Sequence, residues 1–240
     1  MEKETPESRV HDLISKFRFA SGDDETDMET WQAAAKELSR LGDVALNPLF
    51  AALSDKDPNV RSWAADALGQ LQDSRAVMPL LKALNDADQQ TRAEAAVALG
   101  RLEERSVLPY LAAVLTDEVS YVRVCAIRAL GKLGGPKVFE HIAKMLDDQD
   151  DDARRAAVYA LGDSGDVRGL DLLVLQLASP DAEIRCAASL ALGTLGDDRA
   201  LPALERVRDF DQGRTRVGNK VSDYAVEGIK SIRRQSIQGY

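Results

Sequence analysis

Histidine and cysteine are nearly missing from this chain of 240 residues, with two of each, and aromatic residues make up only 5% of it. His11 stands beside Asp12 and His141 beside Glu140, so nothing approaches the clustered Cys/His spacing of a zinc site. Ser or Cys nucleophiles would need a base nearby, and neither Cys125 nor Cys186 has one in its surroundings; both read as small packing residues. No GxxxxGK[ST] phosphate loop occurs, and Gly134-Gly135-Pro136 reads as a turn. Runs such as Asp150-Asp151-Asp152 read as solvated helix starts favoured by the helix dipole. The expectation is a chain with no catalytic residue, no cofactor and no metal.

Long apolar runs are also lacking. No stretch approaches the roughly 20 residues of a membrane-spanning helix, and Met1–Glu7 is polar and acidic, without the apolar core of a signal peptide. The two cysteines lie two repeats apart, at helix spacings of about 8–10 Å per step, beyond disulfide reach. These features lead to an expectation of reduced thiols, no membrane insertion and a cytoplasmic setting. Excess positive charge is missing too. The net charge is −9, which speaks against a general nucleic-acid binder, because phosphate binding runs on Lys and Arg. The charge is uneven: Arg206 to Arg234 holds eight Lys/Arg against four Asp/Glu, a local +4 that leaves −13 elsewhere.

What the chain does have is a repeat. Val60-Arg61 with Ala67-Leu68-Gly69 recurs at 31-residue steps as Thr91-Arg92 with Ala98-Leu99-Gly100, Val122-Arg123 with Ala129-Leu130-Gly131, Ala153-Arg154 with Ala160-Leu161-Gly162, and Ile184-Arg185 with Ala191-Leu192-Gly193. A fixed period of this length marks a stacked array. Each unit reads as a short helix with an early proline (Pro48, Pro79, Pro109, Pro202), an acidic turn, and a longer second helix. Pairs are expected near 43–72, 73–103, 104–134, 135–166 and 167–197. Residues 1–42 read as a degenerate capping repeat: a frayed 1–7, a helix over 8–20, an acidic loop over 21–27 and a helix over 28–41. Residues 198–240 read as a C-terminal cap whose two helices flank a basic loop. The whole is expected to be one body, as quasi-linear arrays are.

The unit Asp86…Thr91-Arg92-Ala93-Glu94-Ala95-Ala96-Val97-Ala98-Leu99-Gly100, preceded by Ala76-Val77-Met78-Pro79-Leu80-Leu81, resembles the short HEAT-like repeat of the phycobilisome-lyase, or E–Z, type. The resemblance covers about residues 28–209. It implies an all-α fold, a right-handed α-α superhelix (solenoid) of about seven two-helix repeats. It also implies that the Arg column (Arg61, Arg92, Arg123, Arg154, Arg185) and the acidic column six residues earlier (Asp55, Asp86, Asp117, Asp148, with Ser179 at the fifth place) form a ladder between neighbouring repeats. An Arg fork suits carboxylates and turn carbonyls, so these arginines read as structural. The glycines read as points of close helix approach, since each costs about 1 kcal/mol of helix propensity. Proteins with such repeats include scaffolds, bilin lyase subunits, DNA glycosylases and hydroxylases, so the fold implies no single chemistry. The di-iron hydroxylase pattern needs several His-Glu pairs, which this chain does not have, and the glycosylases need a basic concave face.

A binding surface would use positions that the repeat leaves free. On the second helices these share one face, expected to be concave, and include Asn59, Trp63, Asp66, Glu94, Val97, Arg101, Tyr121, Arg128, Lys132, Arg155, Tyr159 and Leu190. Trp, Tyr and Arg dominate binding hot spots; alternatively, Trp63 and the tyrosines plug gaps between repeats. Arg214, Arg216 and Lys220 form a possible basic edge for an anionic surface. The leading expectation is a non-catalytic, protein-binding scaffold or adaptor, monomeric by default, with a bilin lyase-like or chromophore-chaperone subunit as the alternative.

Overall fold

The computed structural model describes residues 5–17 and 25–238. Among the described residues the fold is all-α: fourteen helices and one isolated β-bridge, Arg214 with Lys220. The chain forms two compact units, 1–129 and 130–240, and the division falls within one helix.

The first unit contains α1 (Pro6–Lys16), α2 (Glu25–Leu41), α3 (Asp43–Ala52), α4 (Pro58–Leu71), α5 (Val77–Ala83), α6 (Gln89–Arg101), α7 (Leu108–Val114) and most of α8 (Ser120–Leu133). The second contains the end of α8, then α9 (Pro136–Lys144), α10 (Asp151–Asp163), α11 (Gly169–Gln176), α12 (Ala182–Leu195), α13 (Leu201–Phe210) and α14 (Val221–Gln238). Seven helix pairs result, and the predicted pairs fall within a few residues of their expected bounds. The differences are local. Helix α1 starts at Pro6, because Thr5 caps it by accepting the Ser8 N–H at 3.2 Å, so residues 6 and 7 are helical rather than frayed. Helix α2 already begins at Glu25; residues 1–4 and 18–24, including most of the expected acidic loop, lie outside the described residues. Pro48 lies inside α3, not at its start, because that helix begins earlier than the proline suggested.

The acidic turns divide their work between two residues. The second one caps the long helix: Asp57, Asp88, Asp150 and Asp181 each accept a first-turn backbone N–H of α4, α6, α10 and α12, satisfying donors that a helix start leaves open. The first one tightens the turn, as when Asp86 Oδ1 accepts the Asp88 N–H at 2.8 Å, and faces the preceding repeat. In the first unit Arg61 donates Nε and Nη2 to Asp86 at 2.8 and 2.7 Å and Nη1 to the Asp55 carbonyl at 2.9 Å. Arg92 does the same with Asp117, at 2.7 and 3.0 Å, and with the Asp86 carbonyl at 3.0 Å. In the second unit Arg185 reaches Asp211 at 2.7 and 3.2 Å and the Ser179 carbonyl at 2.8 Å. Each arginine thereby ties its own turn to the next repeat.

The second helices approach closely through the glycines. A Cβ on Gly69 would stand 2.7 Å from Ala98 Cα, and one on Gly162 would stand 2.7 Å from the Ala191 carbonyl oxygen. Leu68, Leu99, Leu130, Leu161 and Leu192, one residue before each glycine, are buried and form the core. These contacts generate a test of sign. On an open helix Gly→Ala is favourable by about 1 kcal/mol, but Gly162→Ala is expected to destabilise by roughly 1–3 kcal/mol through overpacking. Urea unfolding checks this, and a stabilised variant contradicts the close approach.

Candidate functional site

In the first unit, the α4 and α6 faces bring together a polar cluster of Asp66, Gln70, Gln90, Glu94 and Arg101. Asp66 is buried, 3% exposed, and is held by Arg101 and by Gln70 Nε2 at 2.6 Å. A buried carboxylate needs such partners. Glu94, one helix on, accepts from Gln90 Nε2 at 2.9 Å. Burial, then the neighbouring Asp66 charge, push the Glu94 carboxyl up to about 7, against the opposing pull of Arg101 and the Gln90 bond. Beside it on α8 lie Tyr121, 47% exposed, and Cys125. Burial pushes the Cys125 thiol up to about 11 and raises the Tyr121 hydroxyl. The thiol is therefore protonated at neutral pH, contrary to what a nucleophile needs. Cys186 behaves alike, pushed up to about 11 by burial, and both cysteines are free.

In the second unit, Tyr159 is 38% exposed on α10, and Arg155 pairs with Asp152 at 2.6 Å. The loop before α14 is a small hairpin. The Thr215 N–H bonds the Asn219 carbonyl at 2.9 Å, Arg214 donates to the Gly218 carbonyl at 2.8 Å, and Thr215 is buried. The hairpin is fastened to the helix starts: the Arg216 N–H donates to Glu183 at 3.0 Å, and its guanidinium lies 3.4 Å from Asp151. Phe210, at the end of α13, and Val217, within the hairpin, are 78% and 82% exposed.

The site residues expected from sequence thus separate into three kinds. Trp63 and Asp66 are buried; Glu94, Val97, Arg101, Arg155 and Leu190 are half-buried; Asn59, Tyr121, Arg128, Lys132, Tyr159, Arg214, Arg216 and Lys220 are exposed. Glu94, Asp66 and Arg101 come together in one unit, and Arg155 and Tyr159 share a helix in the other. Sequence reasoning passed over Tyr224, whose hydroxyl accepts from Asn219 at 3.1 Å; it stands on the closing helix, outside the repeated pattern. It also passed over the partners of Arg216, which are 33 and 65 residues away. Among the described residues no group of three His, Cys, Asp or Glu side chains is arranged to hold a metal ion, and no helix is long and apolar enough to cross a membrane.

Paired helices, the arginine ladder and the glycine column define an α-solenoid repeat protein. The chain belongs to the HEAT-repeat family: the HEAT repeats model matches residues 23–85, 77–162 and 140–217. The fold is similar to that of the CpcE–CpcF complex of phycocyanin lyase from Nostoc sp. PCC7120, with 22% identity, a TM-score of 0.56 and coverage of 98% of this chain and 96% of that one. It is also similar to the karyopherin Kap121p bound to the SUMO protease Ulp1p, with 13% identity and a TM-score of 0.70, over 95% of this chain but only 29% of the karyopherin. An engineered protein gives 21% identity and a TM-score of 0.54 over 78% of this chain and 96% of its own. At these identities the likeness concerns the fold. No curated protein matches the chain.

Glu94 gives the cluster a pH signature. Its folded-state value is raised, so the folded state binds this proton more tightly than the unfolded chain does, and the associated stability is present at low pH and is lost as pH rises toward 7. Glu94→Gln is therefore expected to be more stable than the wild type at pH 8, by about 1–3 kcal/mol, with the gap closing near pH 4.5. Thermal unfolding of both proteins across this range checks it; a pH-independent difference contradicts it.

Proposed function

We propose that the chain is a non-catalytic protein-binding scaffold or adaptor that holds its partner on the second-helix faces of its two units. The observation that carries this reading is the exposure of Tyr121 and Arg128 on α8, beside the charged Glu94–Asp66–Arg101 cluster. Large aromatic and guanidinium groups next to a polar network are the usual composition of interface hot spots. Tyr159 and Arg155 supply the same pair of side-chain types in the second unit. Burial keeps the Cys125 and Cys186 thiols protonated, which gives the faces little nucleophilic chemistry and also favours binding. Two structural relatives are complexes between proteins, CpcE with CpcF and Kap121p with Ulp1p, and this supports a protein partner here. Trp63, being buried, acts in this reading as a support beneath the face.

A second reading, a bilin lyase-like or chromophore-chaperone subunit, is favoured by the likeness to the phycocyanin lyase complex over 98% of the chain. Mixing the protein with a free bilin separates the two: a shifted absorption band supports the lyase-like reading.

For the scaffold, the test is capture of partners from the native extract by whole-chain baits that melt like the wild type. Tyr121→Ala/Arg128→Ala and Tyr159→Ala/Arg155→Ala are each expected to weaken retention about tenfold or more, since hot-spot truncations cost upward of 1–2 kcal/mol. Met78→Ala/Leu175→Ala, exposed on the first helices, is expected to retain the partner. The reverse pattern contradicts the assignment of the face.

A further inference from the structure

The ladder is complete where the structure shows Arg61, Arg92 and Arg185, but it is interrupted at Arg154. The residue that stands 25 positions after Arg154, as Asp86 stands after Arg61 and Asp117 after Arg92, is Ser179. Two hydrogen bonds show that Ser179 occupies the same place in its turn. Its carbonyl accepts Nη1 of Arg185 at 2.8 Å, as the Asp86 carbonyl accepts Nη1 of Arg92 at 3.0 Å. Its Oγ accepts the Asp181 N–H at 3.2 Å, as Asp86 Oδ1 accepts the Asp88 N–H at 2.8 Å. Serine therefore keeps the turn and deletes the carboxylate.

Arg154 responds accordingly. Its Nη1 still donates to the Asp148 carbonyl at 2.6 Å, but its Nη2 turns to Asp151 on its own helix. Asp151 is itself shared with Arg216 of the hairpin, at 3.4 Å. Among the described residues no carboxylate receives Nε of Arg154, whereas Nε of each of Arg61, Arg92 and Arg185 donates to the facing aspartate. The Arg154 side chain is 30% exposed, against 15%, 11% and 15% for those three. Two guanidinium groups thus stand over one carboxylate, with a hydroxyl-bearing turn where a second carboxylate belongs.

We infer that Arg154, with Ser179 in the place of the ladder aspartate, seats a carboxylate from an acidic side chain of a protein partner. The in-plane fork of an arginine fits a planar carboxylate bidentately through Nε and Nη2, which is the arrangement of the Arg61, Arg92 and Arg185 rungs. An incoming carboxylate takes those two donors, and Asp151 is left to Arg216. The partner half of the inference rests on the protein-binding reading above; the seat itself does not.

The test follows the side-chain Nε–H resonance of Arg154 in the full chain during titration with N-acetylglutamate α-amide, and separately with inorganic phosphate. A saturable shift at Arg154 with the model carboxylate is expected, with Arg92 unmoved. Ser179→Asp, which fills the rung from within, is expected to weaken that response at least tenfold and to raise the melting temperature. An unmoved Arg154, an equal response at Arg92, an undiminished response in Ser179→Asp, or a response to phosphate alone overturns the inference. The reading of the second-helix faces stands or falls separately, on the Tyr121 and Tyr159 variants: those can be inert while the seat binds, or the seat can be empty while those abolish capture.

Discussion

Where the rungs of Arg61, Arg92 and Arg185 stand, one interaction fixes how a repeat meets the next: an arginine fork shared between its own turn and the carboxylate of the following turn. A guanidinium carries five donors and is satisfied only when both turns lie in register. Removing such ions from water is costly, and a buried ion pair is weak evidence of net stability. What it does supply is a penalty for any other register. Burial alone would raise the ladder aspartates; the arginine fork and a backbone N–H outweigh it, holding Asp86, Asp117 and Asp211 below the ordinary carboxylate range. The stability associated with them is present above the ordinary carboxylate pKa and is lost as pH falls through the lowered values, opposite in sign to Glu94.

The ladder holds one end of the second helices, and the glycines set their separation. Close approach through Gly69 and Gly100 brings α4, α6 and α8 near enough for residues on different helices to share charge and hydrogen bonds. Asp66 on α4 can then take Arg101 from α6, and Glu94 feels both. The polar face of the first unit is thus a product of backbone proximity. In the second unit the same device continues to α14, where a Cβ on Gly193 would stand 2.8 Å from Gly228 Cα, and the closing helix joins the array by repeating its small-residue contact without its sequence.

The fold was legible because the array repeats every constraint. The 31-residue period, the Ala-Leu-Gly step and the acidic turn each appear several times, so an error at one repeat is corrected by the others. Boundaries failed where a residue has more than one use: Pro48 marks a helix interior, and Thr5 starts a helix earlier than the apolar pattern did. The candidate face was legible only in part. A helical wheel places Trp63 and Asp66 on the same side as the exposed Asn59 and Gln70, but it contains no neighbouring repeat to cover them, and both are buried. The hairpin contacts were illegible for another reason. Arg216 meets Asp151 and Glu183 through a loop that occurs once, and a single loop offers no register from which to infer its partners. Ser179 was visible as a departure from the acidic column; that its turn is otherwise unchanged became apparent only from its hydrogen bonds.

The most direct measurement is a double-mutant cycle on one rung, Arg92→Gln with Asp117→Asn, followed by urea unfolding of the whole chain. The two side chains are only 11% and 12% exposed and meet at 2.7 Å, and charged hydrogen bonds in such settings contribute about 1.5–3 kcal/mol. The account predicts a coupling energy of at least about 1 kcal/mol, within the range found for residues in contact. Additive losses, with no coupling between the two positions, would contradict the claim that the arginine ladder joins one repeat to the next.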